Sequence, residues 1–412
     1  MKAILRLLFF VICLGLLAGC EKDEMFPDQP DPMLKKAMKV KVMPCSSSDV
    51  LVKAETDWQN INEALQNADP GEVVQLGEGT FYLHKSVVCW DFDGTLKGAG
   101  KGKTIIRTAP GMLFDVNDCP PVNWSFEKHD VGHFFIAFPH HYFDGERTVS
   151  AKDFSIIVDE PIDVEETERN SLHGIMAYNI DLDNDRDHPI NLNVEYKNLS
   201  LIGEYDPVYN YYGYSLFSGV SGYGYSNGIF EAKNVFVENA AGCVKPHAFF
   251  GPDANVIIKD CHFNNCRHGV YAFFDHSWTV KNNIIENSVM GLALLKKGPY
   301  GEDWDGPAGI TFVKDNWIHF EGTDAMGIGI QYASTAEVKN NVLEGSSMQY
   351  GGIVSLLANN WIIRDNDLCG VTSRPIFLLY SSNFDIRNNY NQALTPVACT
   401  DLIIGEGFVC ED

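Results

Sequence analysis

An all-β solenoid, closed at its N-terminal end by one short α-helix, is the fold this sequence predicts. Three observations carry the prediction. A strand-like phrase ending in a base followed by Asp or Asn recurs at Lys152-Asp153, Lys197-Asn198, Lys233-Asn234, Lys259-Asp260, Lys281-Asn282, Lys314-Asp315, Lys339-Asn340, Arg364-Asp365 and Arg387-Asn388. Most gaps between these bases are 22 to 26 residues, with longer ones of 45, 36 and 33; a period in this range means stacked units rather than one globular core. A glycine opens a further apolar run after most copies, at Gly242, Gly269, Gly291, Gly327 and Gly352, with Pro375 in the same place.

Each part of the repeat has a physical reading. In Trp278-Thr279-Val280-Lys281 the two-residue period sends Trp278 and Val280 to one face and Thr279 and Lys281 to the other. The base therefore faces solvent. The following Asn or Asp suits a sharp left-handed bend, and stacked Asn side chains can form hydrogen-bonded ladders. A second short strand (Ile284-Ile285) and the Gly-opened third strand complete the unit. With rungs ~4.8 Å apart, about eleven of them make a rod on the order of 50 Å long. The column of nine bases reads as scaffold, since long basic side chains cover strand surface beside compensating acids.

Before the repeat, Trp58, Ile61 and Leu65 fall at helical spacing, with Thr56 or Asp57 placed to cap the start and Asp69-Pro70-Gly71 to stop it. Val73 to Leu76 is a strand. Gly98 to Thr104 imitates a phosphate-binding loop, but the required first glycine position holds Lys97, so it reads as a turn. The expected boundaries are a signal at 1–19, a tether at 20–50, a cap helix at 51–72, the solenoid at 73–395 and a C-terminal cap at 396–412.

This order of cap helix, first strands and repeat resembles the pectin-lyase-like superfamily, over about residues 56 to 400. The resemblance implies a single-stranded right-handed parallel β-helix. It leaves function open, because that fold hosts lyases, hydrolases, epimerases and binding proteins. Phe273-Phe274-Asp275-His276 is similar to the Trp-Ile-Asp-His stretch of pectate lyases, but their Arg-x-Pro-x-x-Arg motif is absent. Arg267-His268-Gly269 resembles the Gly-His-Gly of polygalacturonases, whose Asn-Thr-Asp and Arg-Ile-Lys motifs are absent too.

The 412 residues carry a formal charge of −24, which argues against nucleic acid as a partner. Lys2 and Arg6 precede a short apolar run, Leu7 to Leu17, that ends in Leu17-Ala18-Gly19-Cys20. This resembles a bacterial lipobox, with Cys20 the lipidated residue and acyl chains as the membrane attachment. Glu21-Lys22-Asp23-Glu24 resembles the acidic export signal of Bacteroidetes surface lipoproteins, which implies an outer-membrane, cell-surface location. Of eleven cysteines, nine lie beyond Cys20. Cys243, Cys261 and Cys369 read as small buried residues. A Cys399–Cys410 bridge is chemically permitted near the C-terminus.

The resemblance places a substrate groove along the Gly-opened strands. Outward or flanking positions there give one cluster: Lys245, His247, Arg267, His268 and Asp275 as candidate catalytic residues. Tyr271, Phe273, His276, Lys296, Lys297, Trp304 and Asp305 are candidate substrate contacts. A lyase acting on a uronate polymer needs a cation on the carboxylate and a base for the acidified proton. Lys245, Arg267 or Lys297 would serve as the cation and His247 or His268 as the base. A hydrolase needs two carboxylates at a set separation, with Asp275 and Asp303 or Asp305 the candidates. Asp181, Asp183, Asp185 and Asp187 alternate as hard oxygen ligands suited to calcium. The two function classes are a polysaccharide-processing enzyme, first a lyase of an acidic glycan, and a non-catalytic glycan-binding or adhesion protein.

Overall fold

The computed structural model describes residues 40–112, 133–159, 172–179, 190–205, 214–224, 226–246, 254–273, 277–295, 309–331 and 335–410. They form a right-handed parallel β-helix in which every strand–strand ladder is parallel. The repeat phrase aligns residue on residue. Lys97, Lys152, Lys197, Lys233, Lys259, Lys281, Lys314, Lys339, Arg364 and Arg387 are successive register partners. The Asp or Asn after each of the nine predicted bases has a positive φ, between 52° and 64°. The left-handed bend expected from sequence is therefore present in every copy.

Alternation decides what is buried. Val256 and Ile258, Trp278 and Val280, and Phe384 and Ile386 point into one continuous core, while the intervening residues face outward. The outward bases meet acids from neighbouring rungs. Glu231 lies 2.8 Å from Lys197 and 2.9 Å from Lys259. Glu337 lies 2.8 Å from both Lys314 and Arg364. Partial burial pushes the Glu231 carboxyl up, but hydrogen bonds from its two lysines outweigh this and hold it below the usual carboxylate range. Ion pairs thus compensate seven of the nine bases among the described residues.

At the core corner one residue past each bend, the chain changes character. In the first copies this position is apolar: Phe154, Leu199, Val235 and Cys261, all buried. In the later ones it is Asn283, Asn316, Asn341, Asn366 and Asn389, also buried. These five form a ladder in which each Nδ2 donates to the next Oδ1 at 2.9 Å until Asn389 donates to Gln392 at 3.1 Å. The same Oδ1 atoms accept the backbone N–H of the preceding rung, and the Nδ2 atoms donate to carbonyls such as Val313 O. A buried amide is tolerable only when satisfied in this way.

Four expectations change in detail. The cap helix runs Val50–Gln66, with Asp49 as its N-cap accepting from Leu51 and Val52. Asp57 does not cap it; it is buried and accepts from the backbone N–H of Cys45 and Tyr82. The solenoid also extends past both expected ends, because Val40–Val42 pairs with Val74–Leu76 and Thr400–Ile404 pairs with Ser382–Ile386 of the preceding rung. The disulfides are Cys369–Cys410, with Cα atoms 5.6 Å apart, and Cys243–Cys266. Cys399 is a free thiol and Cys261 a buried one. Pairing follows stacking rather than nearness in sequence: the Phe408 bridge to Tyr390, itself bridged to Asp367, lays the tail over the rung that holds Cys369.

Candidate functional site

The third strands carry a second repeated phrase: an outward residue, a glycine, an aliphatic core residue, then another outward residue. It reads His173-Gly174-Ile175-Met176, Ser218-Gly219-Val220-Ser221, His268-Gly269-Val270-Tyr271, Met290-Gly291-Leu292-Ala293 and Met326-Gly327-Ile328-Gly329. The glycines are required by crowding. A Cβ at Gly174, Gly219, Gly269, Gly291 or Gly327 would lie 2.5–2.8 Å from a carbonyl oxygen of the adjacent rung. Gly242, expected in this column, stands instead opposite His268, and Cys243 takes the glycine position of its rung.

Two columns point away from the main core, and their members are buried or only partly exposed. In register, one runs Phe134, His173, Ser218, Gly242, His268, Met290 and Met326. The other runs Ala137, Met176, Ser221, Lys245, Tyr271, Ala293 and Gly329. Their middle members are polar. On the N-terminal side lies an apolar cluster of Phe134, Ala137, Met176 and Tyr178. On the C-terminal side lies another, of Ala293, Met326, Val354 and Phe377.

Within the polar stretch, His173 Nδ1 lies 2.5 Å from Ser218 Oγ, which lies 2.6 Å from Ser221 Oγ. Lys245 follows Ser221 in its column, and its stem folds back over Gly242, where any Cβ would overlap Lys245 Cε. The absent side chain at Gly242 thus lets Lys245 occupy the space between Ser218 and His268. Its Nζ stands 3.3 Å from the ring centre of Phe217 and 5.9 Å from that of Tyr271, a cation over aromatic faces. His268 stacks on Tyr271 with ring centres 4.6 Å apart.

His268 Nδ1 is 3.2 Å from Ala241 O, so the neutral ring carries its proton there. Burial, then the charges of Lys245 and Arg267, lower its pKa to about 3. An imidazole of that kind is a weak proton acceptor near neutrality. Arg267 also acts on Tyr214: burial pushes that phenol up to about 12, and Arg267 opposes the rise. Lys245 and His268 are only 3% and 6% exposed.

The structure therefore brings Lys245, Arg267, His268 and Tyr271 into one neighbourhood, as the sequence suggested. Phe273 is described in backbone only, as the register partner of Leu295. His247, Asp275, His276, Lys296, Lys297, Trp304, Asp305, the four aspartates 181, 183, 185 and 187, and Cys20 lie outside the described residues. Among the described residues, no group of three or more His, Cys, Asp or Glu is placed to hold a metal.

Sequence reasoning missed His173, Ser218 and Ser221. The signal that finds them is the residue before each third-strand glycine and the residue two after it. The first phrase cannot reveal this, because long insertions separate the early bases and a register shift falls between Leu216 and Ser218.

No protein-family model matches the chain, and no curated protein matches it. Among solved structures it is similar to the catalytic unit of an α-1,3-glucanase of family GH87 from Streptomyces thermodiastaticus, at 11% identity and a TM-score of 0.45, covering 90% of this chain and 68% of that one. It is similar to a PL6 alginate lyase in complex with a trisaccharide, at 9% identity and a TM-score of 0.40, covering 90% and 87%. It is also similar to a surface protein and adhesin of Streptococcus pneumoniae, at 10% identity and a TM-score of 0.37, covering 90% and 100%.

Proposed function

We propose that this protein is a lipid-anchored cell-envelope protein that binds an acidic polysaccharide and cleaves it by β-elimination. The observation that carries the reading is the placement of Lys245. It is a single ammonium held mid-face by Gly242, Phe217 and the His268–Tyr271 stack, between two apolar stretches of the same sheet.

Elimination from a uronate begins when a cation neutralises the carboxylate, which acidifies the proton on the adjacent carbon. Lys245 supplies that charge. A base then takes the proton, electrons form the new double bond, and the glycosidic oxygen leaves with the neighbouring sugar. His268 is too weakly basic for this step, so the assignment moves to His247, two residues beyond Lys245 in sequence. The uncharged His268 instead fixes the ring of Tyr271 and the space into which Lys245 folds. With Lys245 only 3% exposed, the reading requires local opening before a polymer meets the ammonium.

The absence of the pectate-lyase and polygalacturonase motifs favours a second reading, in which the protein binds glycan without cleaving it. A panel of acidic and neutral polysaccharides, followed by the ultraviolet absorbance of unsaturated uronate and by reducing ends, separates elimination, hydrolysis and binding alone. Unchanged activity in a variant with alanine at Lys245, His247, Arg267 and His268 would remove this site. Two accompanying proposals have their own tests. Calcium at Asp181, Asp183, Asp185 and Asp187 predicts a chelator-sensitive melting temperature. Lipidation of Cys20 at the outer membrane predicts loss of membrane-associated protein in Cys20→Ala.

A further inference from the structure

Four rungs from Lys245, on the same face, stands a separate aromatic assembly. Val88 pairs with Ala137, and the column continues through Met176 and Ser221 to Lys245. Four rung spacings are about 19 Å. Two residues beyond Val88 is Trp90, 41% exposed although it is one of the largest apolar side chains in the molecule.

The indole is held from its own backbone and from one side. The flanking Cys89 and Asp91 N–H groups donate to Ala137 O at 3.0 Å and Pro139 O at 2.8 Å. His141 stacks on it, with ring centres 4.8 Å apart and planes 24° from parallel. His141 in turn ties the indole to a carboxylate. Asp91 Oδ1 accepts the His141 backbone N–H at 3.0 Å and Arg147 Nη1 at 2.9 Å, and Asp91 Oδ2 lies 2.9 Å from His141 Nδ1. Arg147 is itself braced over the Phe143 ring at 4.2 Å. Partial burial pushes the Asp91 carboxyl up, but the bonds from His141 and Arg147 hold it below the usual range.

We infer that Trp90, with Asp91, His141 and Arg147, is a sugar-binding platform distinct from the Lys245 cluster, and that it takes the apolar face of one pyranose ring of a glycan. The ligand class rests on the glycan reading above. The exposed face of a single indole matches a pyranose ring in size. A carboxylate has roughly four lone-pair positions; among the described residues three contacts occupy them at Asp91, which leaves an acceptor for a sugar hydroxyl. The Asp91–Arg147 pair is locally neutral, so the platform favours the uncharged face of a sugar over its carboxylate. Ordering of the indole before binding lowers the entropic cost of association.

The test is affinity electrophoresis of the purified protein through gels holding polygalacturonate, alginate or a neutral β-glucan, with tryptophan fluorescence as a second readout. At least one glycan is expected to retard the wild-type protein and quench its fluorescence. Trp90→Ala should weaken retardation about five- to tenfold, consistent with loss of one ring contact, at an unchanged melting temperature. Trp90→Phe should keep part of the retardation and lose the quench. Equal retardation of wild type and Trp90→Ala would overturn the inference, as would a wild type retarded by no glycan. Unsaturated product is scored separately. Its absence beside Trp90-dependent retardation would count against the lyase reading alone.

Discussion

The two halves of the solenoid place their polar groups on opposite sides of the same backbone. From Phe154 to Cys261 the inner corner is apolar, while the outer face of the third strands is polar, with His173, Ser218, Ser221, Lys245 and His268. From Asn283 to Asn389 the inner corner is a continuous amide ladder, while the outer face is apolar, with Met326, Val354 and Phe377. Rung register is the same throughout. A parallel β-helix therefore tolerates buried polarity at either place, with different consequences. At Asn341 the two Nδ2 hydrogens are shared among three acceptors and Oδ1 accepts two N–H groups, which leaves nothing for a ligand. On the outer face the polar groups form short chains beside two cations, Lys245 and Arg267, and chemistry can be located there.

The largest expected effect comes from breaking the ladder. Asn341→Leu keeps the volume but removes the acceptor of the Asn316 N–H and Nδ2 and one donor each to Val313 O, Lys339 O and Asn366 Oδ1. It should cost about 4 kcal/mol. Because each repeat contacts only its neighbours, hydrogen exchange should rise first in rungs near residue 341, and a loss below about 1 kcal/mol would deny the ladder its structural role. The converse exchange, Leu199→Asn, places an amide between Phe154 and Val235, where no partner column exists. A cost of about 3 kcal/mol is expected in chemical denaturation, and a neutral outcome would show the two corners to be interchangeable.

Acid should separate the halves as well. Burial lowers the pKa of His268 to about 3 and that of His140 to about 4, from an ordinary 6.5. Between those values the unfolded chain binds protons that the folded chain refuses. Stability is thus full above pH 6.5 and falls as pH drops toward 4, by about 1 kcal/mol per pH unit per group. Both histidines lie in the first half, whose amides should lose protection first. His140 is fully buried, and among the described residues neither ring nitrogen has a hydrogen-bond partner. His140→Phe should therefore flatten the acid limb of the melting profile, and an unchanged limb would place the sensitivity elsewhere. The smallest effect is expected at the base column. Lys339→Met removes a half-exposed pair with Asp365 at 3.9 Å and should change stability by no more than about 0.5 kcal/mol.

The scaffold was legible because its signals are local. An alternating strand, a base and a left-handed Asn or Asp sit within six residues, and their period fixes the register. The corner ladder was legible as a tendency of stacked Asn, but its start at Asn283 depends on which side chain each rung turns inward. The site was half legible. Lys245, Arg267, His268 and Tyr271 follow from outward parity on strands that glycines announce. His173 and Ser218 belong to rungs separated by long insertions, and no local rule counts across those. The weak basicity of His268 was not readable, because it comes from burial and from two cations brought together by stacking. Nor was the fold of Lys245 over Gly242, which depends on an absent side chain in its own strand.

The central claim is that function belongs to the polar outer face of the first half and not to the longer and more conspicuous column of bases. The direct measurement compares glycan retention and unsaturated-product formation in wild type, Lys245→Met and Lys339→Met, each matched for melting temperature. The account predicts that Lys245→Met loses both signals while Lys339→Met keeps both. Retention and product unchanged in Lys245→Met, with loss in Lys339→Met, would contradict it and return the base column to the centre of the function.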